Sequence, residues 1–221
     1  MKTLFNKLRQ TISFYVNNSP LELRYCNVYY SQFGEDVVLS QLFKNKSGFY
    51  IDVGAYHPFN FSNTYLFYKA GWRGLNIEPN PYGFSLLKRF RSQDKNLNFA
   101  VATVAGPVNF KADSTFSHII DSREMITSKD KQIVVEAMPL REILDHQIHK
   151  GQVIDFMSVD CEGHDLQVLQ SNNWEIYKPR AIIVEDHYSG DNTDIDKELT
   201  SHNYKLYCRM GLSKIYLESE K

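Results

Sequence analysis

Acidic residues stand at the ends of several apolar, strand-like segments of this sequence. Asp52, Glu78 and Asp160 each end one such segment, and a fourth segment ends in the run 185–187, which reads Glu-Asp-His. Packing of a hydrophobic core does not require acids at these points. Open parallel sheets bind their ligands beyond the carboxyl ends of the strands. The pattern therefore predicts one ligand-binding edge lined with carboxylates.

The first two of these segments have features that suit a ligand containing adenosine. Gly54 follows Asp52 closely, and a glycine after the first strand lets the backbone approach a bound ligand. Glu78 ends the next strand along the chain, where a carboxylate can accept two hydrogen bonds from a ribose diol. A dinucleotide and S-adenosylmethionine both contain such a diol.

The turn after the first strand favours S-adenosylmethionine over a dinucleotide. Pyrophosphate binding relies on the pattern G-x-G-x-x-G at the start of a helix, whereas this chain has Gly54-Ala-Tyr-His-Pro58. S-adenosylmethionine has no phosphate but carries a sulfonium, an ammonium and a carboxylate. An acid such as Asp52 suits its positive groups, and Ser62 and Asn63 suit its carboxylate.

Strand-like and helix-like segments alternate along the middle of the chain, which predicts a mostly parallel sheet with helices on both faces. Predicted strands cover residues 48–54, 73–78, 97–104, 108–111, 132–137, 153–159 and 179–184, and a closing hairpin pairs 204–208 with 214–217. Predicted helices cover residues 62–70, 82–91, 140–147 and 195–201, with a further helix after Gly163. The fold class is thus α/β and Rossmann-like.

Six motifs together resemble the FkbM-type S-adenosylmethionine-dependent methyltransferases. They run in order through roughly seventy per cent of the chain, from about residue 31 to about residue 187. They are Ser31-Gln-Phe-Gly-Glu-Asp36, Asp52-Val-Gly-Ala-Tyr-His-Pro58, Ser62-Asn-Thr64, Gly71-Trp-Arg-Gly74, Glu78-Pro-Asn-Pro81 and Ser158-Val-Asp-Cys-Glu-Gly163. The resemblance implies a class I methyltransferase fold with an antiparallel C-terminal strand, and methyl transfer, usually to oxygen. It also implies a sugar or glycoconjugate precursor, or another small molecule, as acceptor.

The resemblance also implies roles for individual residues. The cofactor site would comprise Gln32, Asp52, Gly54, Ser62, Asn63, Glu78 and Pro79. Asp52 and Gly54 would form the cofactor turn, and Glu78 would hold the ribose. Asp160 and Glu162 would face the reacting centre.

A sugar hydroxyl is a poor nucleophile at neutral pH, so the protein must activate it. One hypothesis places Mg²⁺ or a similar divalent cation on Asp160, Glu185 and Asp186. The alternative makes His187 or His118 the general base, while Asp160 orients the acceptor. The sequence leaves both open.

The chain is interpreted as a helical extension over residues 1–30 followed by one methyltransferase domain over 31–221, in which 112–137 forms an insertion or lid that contacts the acceptor. Three widely spaced cysteines without a CxxC pattern favour the cytoplasm. A net charge of −1 gives no electrostatic reason to expect nucleic acid as a partner, and no apolar run approaches the length of a membrane span.

Two other functions remain possible on the sequence. The acceptor could be a small molecule other than a sugar. The chain could also be a binding module that keeps only the shell of a methyltransferase, although such a module has no reason to retain charged residues at its strand ends.

Overall fold

The fold was obtained as a computed structural model. The structure describes residues 28–44, 47–112, 117–120, 131–188, 190 and 192–219. The predicted N-terminal extension, 1–30, lies almost wholly outside these residues, as does part of the predicted insertion 112–137. Across the described ranges, no helix has both the length and the apolar character that a bilayer crossing demands.

Eleven strands and six helices make up the regular structure of the described residues. The strands are β1 (Phe49–Val53), β2 (Arg73–Ile77), β3 (Lys95–Leu97), β4 (Ala100–Val101), β5 (Gly106–Lys111), β6 (His118–Ile119), β7 (Gln132–Met138), β8 (Phe156–Val159), β9 (Ala181–Glu185), β10 (Tyr204–Met210) and β11 (Ser213–Glu218). The helices are α1 (Glu35–Leu42), α2 (Tyr65–Lys69), α3 (Pro81–Phe90), α4 (Leu140–Gln147), α5 (Asp165–Gln170) and α6 (Asp194–Ser201).

A seven-stranded sheet forms the centre of the molecule. Its spatial order is β10-β11-β9-β8-β1-β2-β3. The strands from β9 to β3 pair in parallel, whereas β11 is antiparallel to both β9 and β10. The predicted α/β fold with an antiparallel C-terminal strand is therefore confirmed. Because β1 lies beside both β2 and β8, the chain reverses its direction of winding there, and a crevice opens at the carboxyl ends of these strands.

Alternate residues of the central strands pack into two different cores. Ile51 and Val53 of β1 point into a core that also receives the apolar sides of α4, α5 and α6. Tyr50, which precedes Ile51, points into a second core on the other face, with Leu39 of α1 and Phe67 of α2. Helices thus cover both faces, which explains why the central strands are apolar along their length.

The prediction of one continuous strand over 97–104 is wrong. β3 ends at Leu97, and the chain then crosses to a second, four-stranded sheet of order β4-β7-β5-β6. The Asn98 amide donates hydrogen bonds of 2.8 Å to the carbonyl oxygens of Glu78 and Pro79. These side-chain bonds replace ladder bonds that a continuing strand would make, so the strand stops.

The second sheet contains the described parts of the predicted insertion. β6 and β7 belong to it, and β5 pairs with both. The sheet therefore starts before residue 112, at β4, and it has a small core of its own around Ala100, Phe110 and Ala137. A lid function for this segment remains a prediction.

Candidate functional site

A cavity of about 280 Å³ opens at the carboxyl ends of β1, β2, β8 and β9. All but one of the residues predicted from the sequence to act in the site line it. They are Gln32, Asp52, Gly54, Ser62, Asn63, Glu78, Pro79, His118, Asp160, Glu162, Glu185 and His187. The exception is Asp186. Residues from four strand ends and from the second sheet therefore meet in one crevice.

Asp52 is buried in the cavity wall and is held by a chain of directed hydrogen bonds. The Thr64 hydroxyl donates to Asp52 Oδ2 at 2.6 Å, and Arg91 Nη2 donates to Thr64 Oγ1 at 3.1 Å. A guanidinium has only donors, so the single hydroxyl proton of Thr64 is left for Asp52. Burial raises the pKa of Asp52, while the Thr64 hydrogen bond and the Arg91 charge act in the opposite direction.

Arg91 is itself completely buried, so its positive charge needs hydrogen-bond partners and a negative group close by. Its Nε donates to Asp94 Oδ2 at 3.0 Å, and its Nη2 donates to the Tyr50 hydroxyl at 2.6 Å. The Tyr50 hydroxyl in turn donates to Asp94 Oδ2 at 2.7 Å. The guanidinium is thus paired and hydrogen-bonded, which is the condition for keeping a charge in the interior.

Glu78 is fixed by two backbone donors just beyond the end of β2. Its Oε2 accepts from the Tyr56 N–H and its Oε1 from the Asn80 N–H, both at 2.6 Å. Asn80 also begins α3, because its side chain accepts from the N–H of Tyr82. Burial raises the pKa of Glu78 to about 7, despite the two backbone donors. Each carboxylate oxygen keeps a lone pair for a ligand.

Gly54 allows the carboxyl ends of β1 and β8 to come together. Its φ is +79°, and a Cβ built on it would lie 1.7 Å from the carbonyl oxygen of Asp160. No other residue type fits this contact without a shift of the backbone. The structure thus gives Gly54 a packing role against β8, and the predicted close approach of this turn to a ligand stays a prediction.

The turn after β8 carries Asp160 and Glu162 and is tied to the start of α5. Asp165 accepts from the N–H groups of Cys161, at 2.8 Å, and Gly163, at 3.1 Å. Glu162 has a φ of +49°, in the left-handed region, which aims its side chain at the cavity. Burial raises the pKa of the Cys161 thiol well above its usual value, so this cysteine is no thiolate nucleophile.

Asp160, Glu162, Glu185 and His187 form what we call the acidic end of the cavity. Because β8 and β9 are neighbours, Asp160 and Glu185 share a hydrogen bond. Burial raises the pKa of both carboxyls; the charge of Glu185 adds to the rise at Asp160, whereas at Glu185 the charge of Glu162 adds to the rise and the hydrogen bond to Asp160 opposes it. Burial also raises the pKa of Glu162, with His187 and His118 acting in the opposite direction. The Nε2 of His187 lies 3.1 Å from Glu185 Oε2. Such a group can bind a cation or accept a proton.

The structure does not bring Asp186 into this group. Its Oδ2 lies 2.6 Å from Lys214 Nζ, and it accepts a hydrogen bond of 2.7 Å from the Thr193 hydroxyl. Asp196 is also 2.9 Å from Lys214, and both members of the Asp186–Lys214 pair are buried. Asp186 thus neutralises a lysine of β11. Asp186 follows the last residue of β9, and its carboxylate pairs with Lys214 instead of lining the cavity.

Sequence reasoning missed the apolar part of the cavity. Phe99, Phe110, Ile119 and Leu212 line it. Most of these residues come from the second sheet and from the turn between β10 and β11. Nothing in the local sequence separates them from core residues, and only the expectation of acceptor contacts within 112–137 pointed towards this wall.

A seven-stranded sheet of this order, with carboxylates at the ends of its central strands, defines a class I S-adenosylmethionine-dependent methyltransferase. The model of the methyltransferase FkbM domain matches residues 52–206. The chain therefore belongs to the FkbM methyltransferase family, as its motifs predicted. No curated protein sequence matches it.

The chain is also similar, at low sequence identity, to several solved structures of methyltransferases. The METTL16 methyltransferase domain shares 11% identity at a TM-score of 0.49, over 85% of this chain and 67% of that one. Precorrin-6y C5,15-methyltransferase from Geobacter metallireducens GS-15 shares 14% sequence identity at a TM-score of 0.47, over 87% of this chain and 92% of that one. The 1,6-didemethyltoxoflavin-N1-methyltransferase of Burkholderia thailandensis, with bound S-adenosylhomocysteine, shares 8% sequence identity at a TM-score of 0.46, over 84% of this chain and 77% of that one.

The cavity fits the cofactor of this class. Buried Asp52 and Glu78 offer acceptors for its hydroxyl and positively charged groups, and Gly54 keeps the turn between them close to the cavity. Phe99 and Val101 add apolar surface to the same cavity. S-adenosylmethionine supplies an electrophilic methyl group when bound.

Proposed function

We propose that this protein transfers a methyl group from S-adenosylmethionine to a hydroxyl of a sugar or glycoconjugate precursor. The single observation that carries the proposal is the acidic end of the cavity, which lies in the same crevice as Asp52 and Glu78. A neutral hydroxyl must lose its proton as its oxygen forms the new bond to carbon. Carboxylates and imidazole are the groups that can take this proton or hold a cation that lowers the hydroxyl pKa.

The proposed roles follow the position of each residue. Asp52 and Glu78 hold the positive and ribose parts of the cofactor, together with Gly54 and Pro79 of the adjoining turns. Gln32, Ser62 and Asn63 bind its carboxylate end. Their support is that all of them line the cavity, and that Asn63 is fixed by a hydrogen bond of 3.1 Å to the Ser158 hydroxyl.

Asp160 and Glu162 orient the acceptor in this proposal. Direct proton removal by His187 or His118 is one way to activate it, and both histidines lower the pKa of Glu162 by their charge when protonated. A bound cation is the other way. Activity that is unaffected by EDTA supports the histidine route, whereas activity lost with EDTA and restored by a divalent cation supports the cation route.

A small molecule other than a sugar is the second candidate acceptor. The aromatic residues Phe61, Phe99 and Phe110 on the cavity wall favour it, because flat apolar rings stack on them. Phe61 is half exposed. It stands where an acceptor ring can stack from the solvent side.

The test is formation of S-adenosylhomocysteine by the purified chain with two panels of acceptors. One panel contains monosaccharides and nucleotide sugars, and the other contains phenols and aromatic alcohols. Turnover with the first panel supports the proposal, and turnover with the second alone supports the second candidate. Binding of S-adenosylhomocysteine without any turnover, on either panel or on cell extracts, supports the binding module instead.

We further propose that the protein works in the cytoplasm. Cys161 and Cys208 are both unpaired, which suits a reducing compartment. Cell fractionation with an antibody to the chain tests this, and recovery in an extracytoplasmic fraction would contradict it.

A further inference from the structure

The cavity is lined by more acidic groups than the proposed cofactor has positive groups. Its described lining contains five carboxyl groups, Asp52, Glu78, Asp160, Glu162 and Glu185, and no lysine or arginine. S-adenosylmethionine has two positive groups and one carboxylate, so it adds one net positive charge. Buried carboxylates without a counterion are costly. The acidic end, farther along the strand edge than Asp52 and Glu78, is therefore short of positive charge.

Three side chains at the acidic end are arranged as the ligands of one ion. Glu162, Glu185 and His187 each offer one ligand atom, and these atoms all lie within 4.8 Å of one another. Glu162 comes from the turn after β8, and the other two come from the end of β9. The group therefore lies at the ends of two neighbouring strands of one sheet.

An unsatisfied oxygen points to what the group is built to hold. Glu185 is only 9% exposed, and its Oε2 has no hydrogen-bond partner. The Nε2 of His187 is 3.1 Å away but does not form a hydrogen bond with it. A buried acceptor left in this state is unfavourable, and a cation between the oxygen and the imidazole nitrogen would satisfy both atoms.

We propose that Glu162, Glu185 and His187 bind one divalent cation that coordinates the acceptor oxygen. This assignment replaces the set Asp160, Glu185 and Asp186 expected from the sequence. The role in activating the acceptor rests on the proposed function, whereas binding of the ion does not. Three protein ligands leave open positions on a six-coordinate ion for the acceptor and water.

The donor set narrows the choice of ion. Two carboxylates and one imidazole suit Mn²⁺ or a similar ion better than Mg²⁺, which prefers oxygen ligands alone. His187 is 46% exposed on its side chain, so an ion can enter from solvent. Asp160 keeps its hydrogen bond to Glu185 and acts as a neighbour of the site.

Mn²⁺ alone is the probe for the experiment. The paramagnetic resonance signal of free aqueous Mn²⁺ disappears when the ion binds protein, so a titration of chelator-treated protein counts the sites without any turnover. We expect one saturable site in the wild-type protein. Glu185→Gln and His187→Ala should each weaken it by about tenfold or more, a typical loss when a metal site is disturbed. Glu175→Gln, a substitution at an exposed residue outside the cavity, should leave it unchanged.

The outcomes separate the ion site from the proposed function. No saturable binding below about 1 mM would overturn the ion site, and so would equal binding by all four proteins. His187→Ala guards against misfolding as the cause of a loss, because this side chain is half exposed. The same samples are titrated with S-adenosylhomocysteine. Binding of this nucleoside without binding of Mn²⁺ would contradict only the ion site. Binding of Mn²⁺ without binding of S-adenosylhomocysteine would contradict only the proposed function.

Discussion

Cofactor affinity should depend on pH through the carboxyl group of Glu78. Burial raises the pKa of this carboxyl to about 7 in the free protein. A ribose diol that donates to the carboxylate stabilises its charged form and lowers this pKa in the complex. Binding must then release a proton at any pH below 7, so the affinity for S-adenosylhomocysteine rises as the pH rises through 7 and levels off above it.

The size of the effect follows from the raised pKa. With a free-state pKa of about 7, roughly nine tenths of Glu78 is protonated at pH 6 and about one tenth at pH 8. If the complex keeps the carboxylate fully charged, the dissociation constant is about tenfold larger at pH 6 than at pH 8, which is about 1.4 kcal/mol. About 0.9 proton should leave per ligand bound at pH 6.

Isothermal titration calorimetry measures both quantities. Titrations at pH 6 and pH 8, in two buffers of different ionisation enthalpy, give the affinity and the number of protons released. The control is Glu78→Gln, in which residue 78 cannot titrate while Asp52 and Asp160 are unchanged. This variant should bind about 1.5–3 kcal/mol more weakly at pH 8, the loss of a charged hydrogen-bond partner, and should lack the tenfold change. The same pH dependence in both proteins, or none in the wild type, would refute the reasoning.

Further predictions concern stability, measured by urea unfolding at pH 7.5. Thr64→Val should lower the free energy of unfolding by about 1.5–3 kcal/mol, because it removes the donor to a buried carboxylate, and Thr64→Ser should lower it by less than half as much. Gly54→Ala should lower the free energy of unfolding several times more than Gly151→Ala. Both glycines have φ near +80°, but a Cβ at Gly151 meets nothing within 4 Å. Equal losses of stability in the two variants would contradict the close contact at Gly54. Lys214→Met should lower the free energy of unfolding by about 3–5 kcal/mol, because it leaves buried carboxylates without their counterion. Lys197→Met, which removes one member of an exposed ion pair, should lower it by under about 1 kcal/mol.

The mostly parallel sheet and the edge that carries the site were predictable from local sequence signals. Acids after short apolar runs marked Asp52, Glu78 and Asp160, and the sheet brings all three to one cavity. These signals are local because each of these three acids directly follows or ends its own short apolar run. Parallel pairing then carries each of these ends to the same edge.

The rest depended on contacts between distant parts of the chain. Asn98 ends β3 by bonding to carbonyl oxygens some twenty residues away in sequence, which no window of sequence around residue 98 reveals. Asp186 looked like a neighbour of Glu185 in the site, but β11 places Lys214 beside it. Phe110 lines the cavity only because β5 belongs to a separate sheet.

A crystal structure of the chain with S-adenosylhomocysteine would test the central claim most directly. We predict that the ligand occupies the crevice at the carboxyl ends of β1, β2 and β8, with its ribose hydroxyls on the Glu78 carboxylate and its sulfur towards Asp160. A ligand bound elsewhere, or in this crevice with its ribose away from Glu78, would contradict the account.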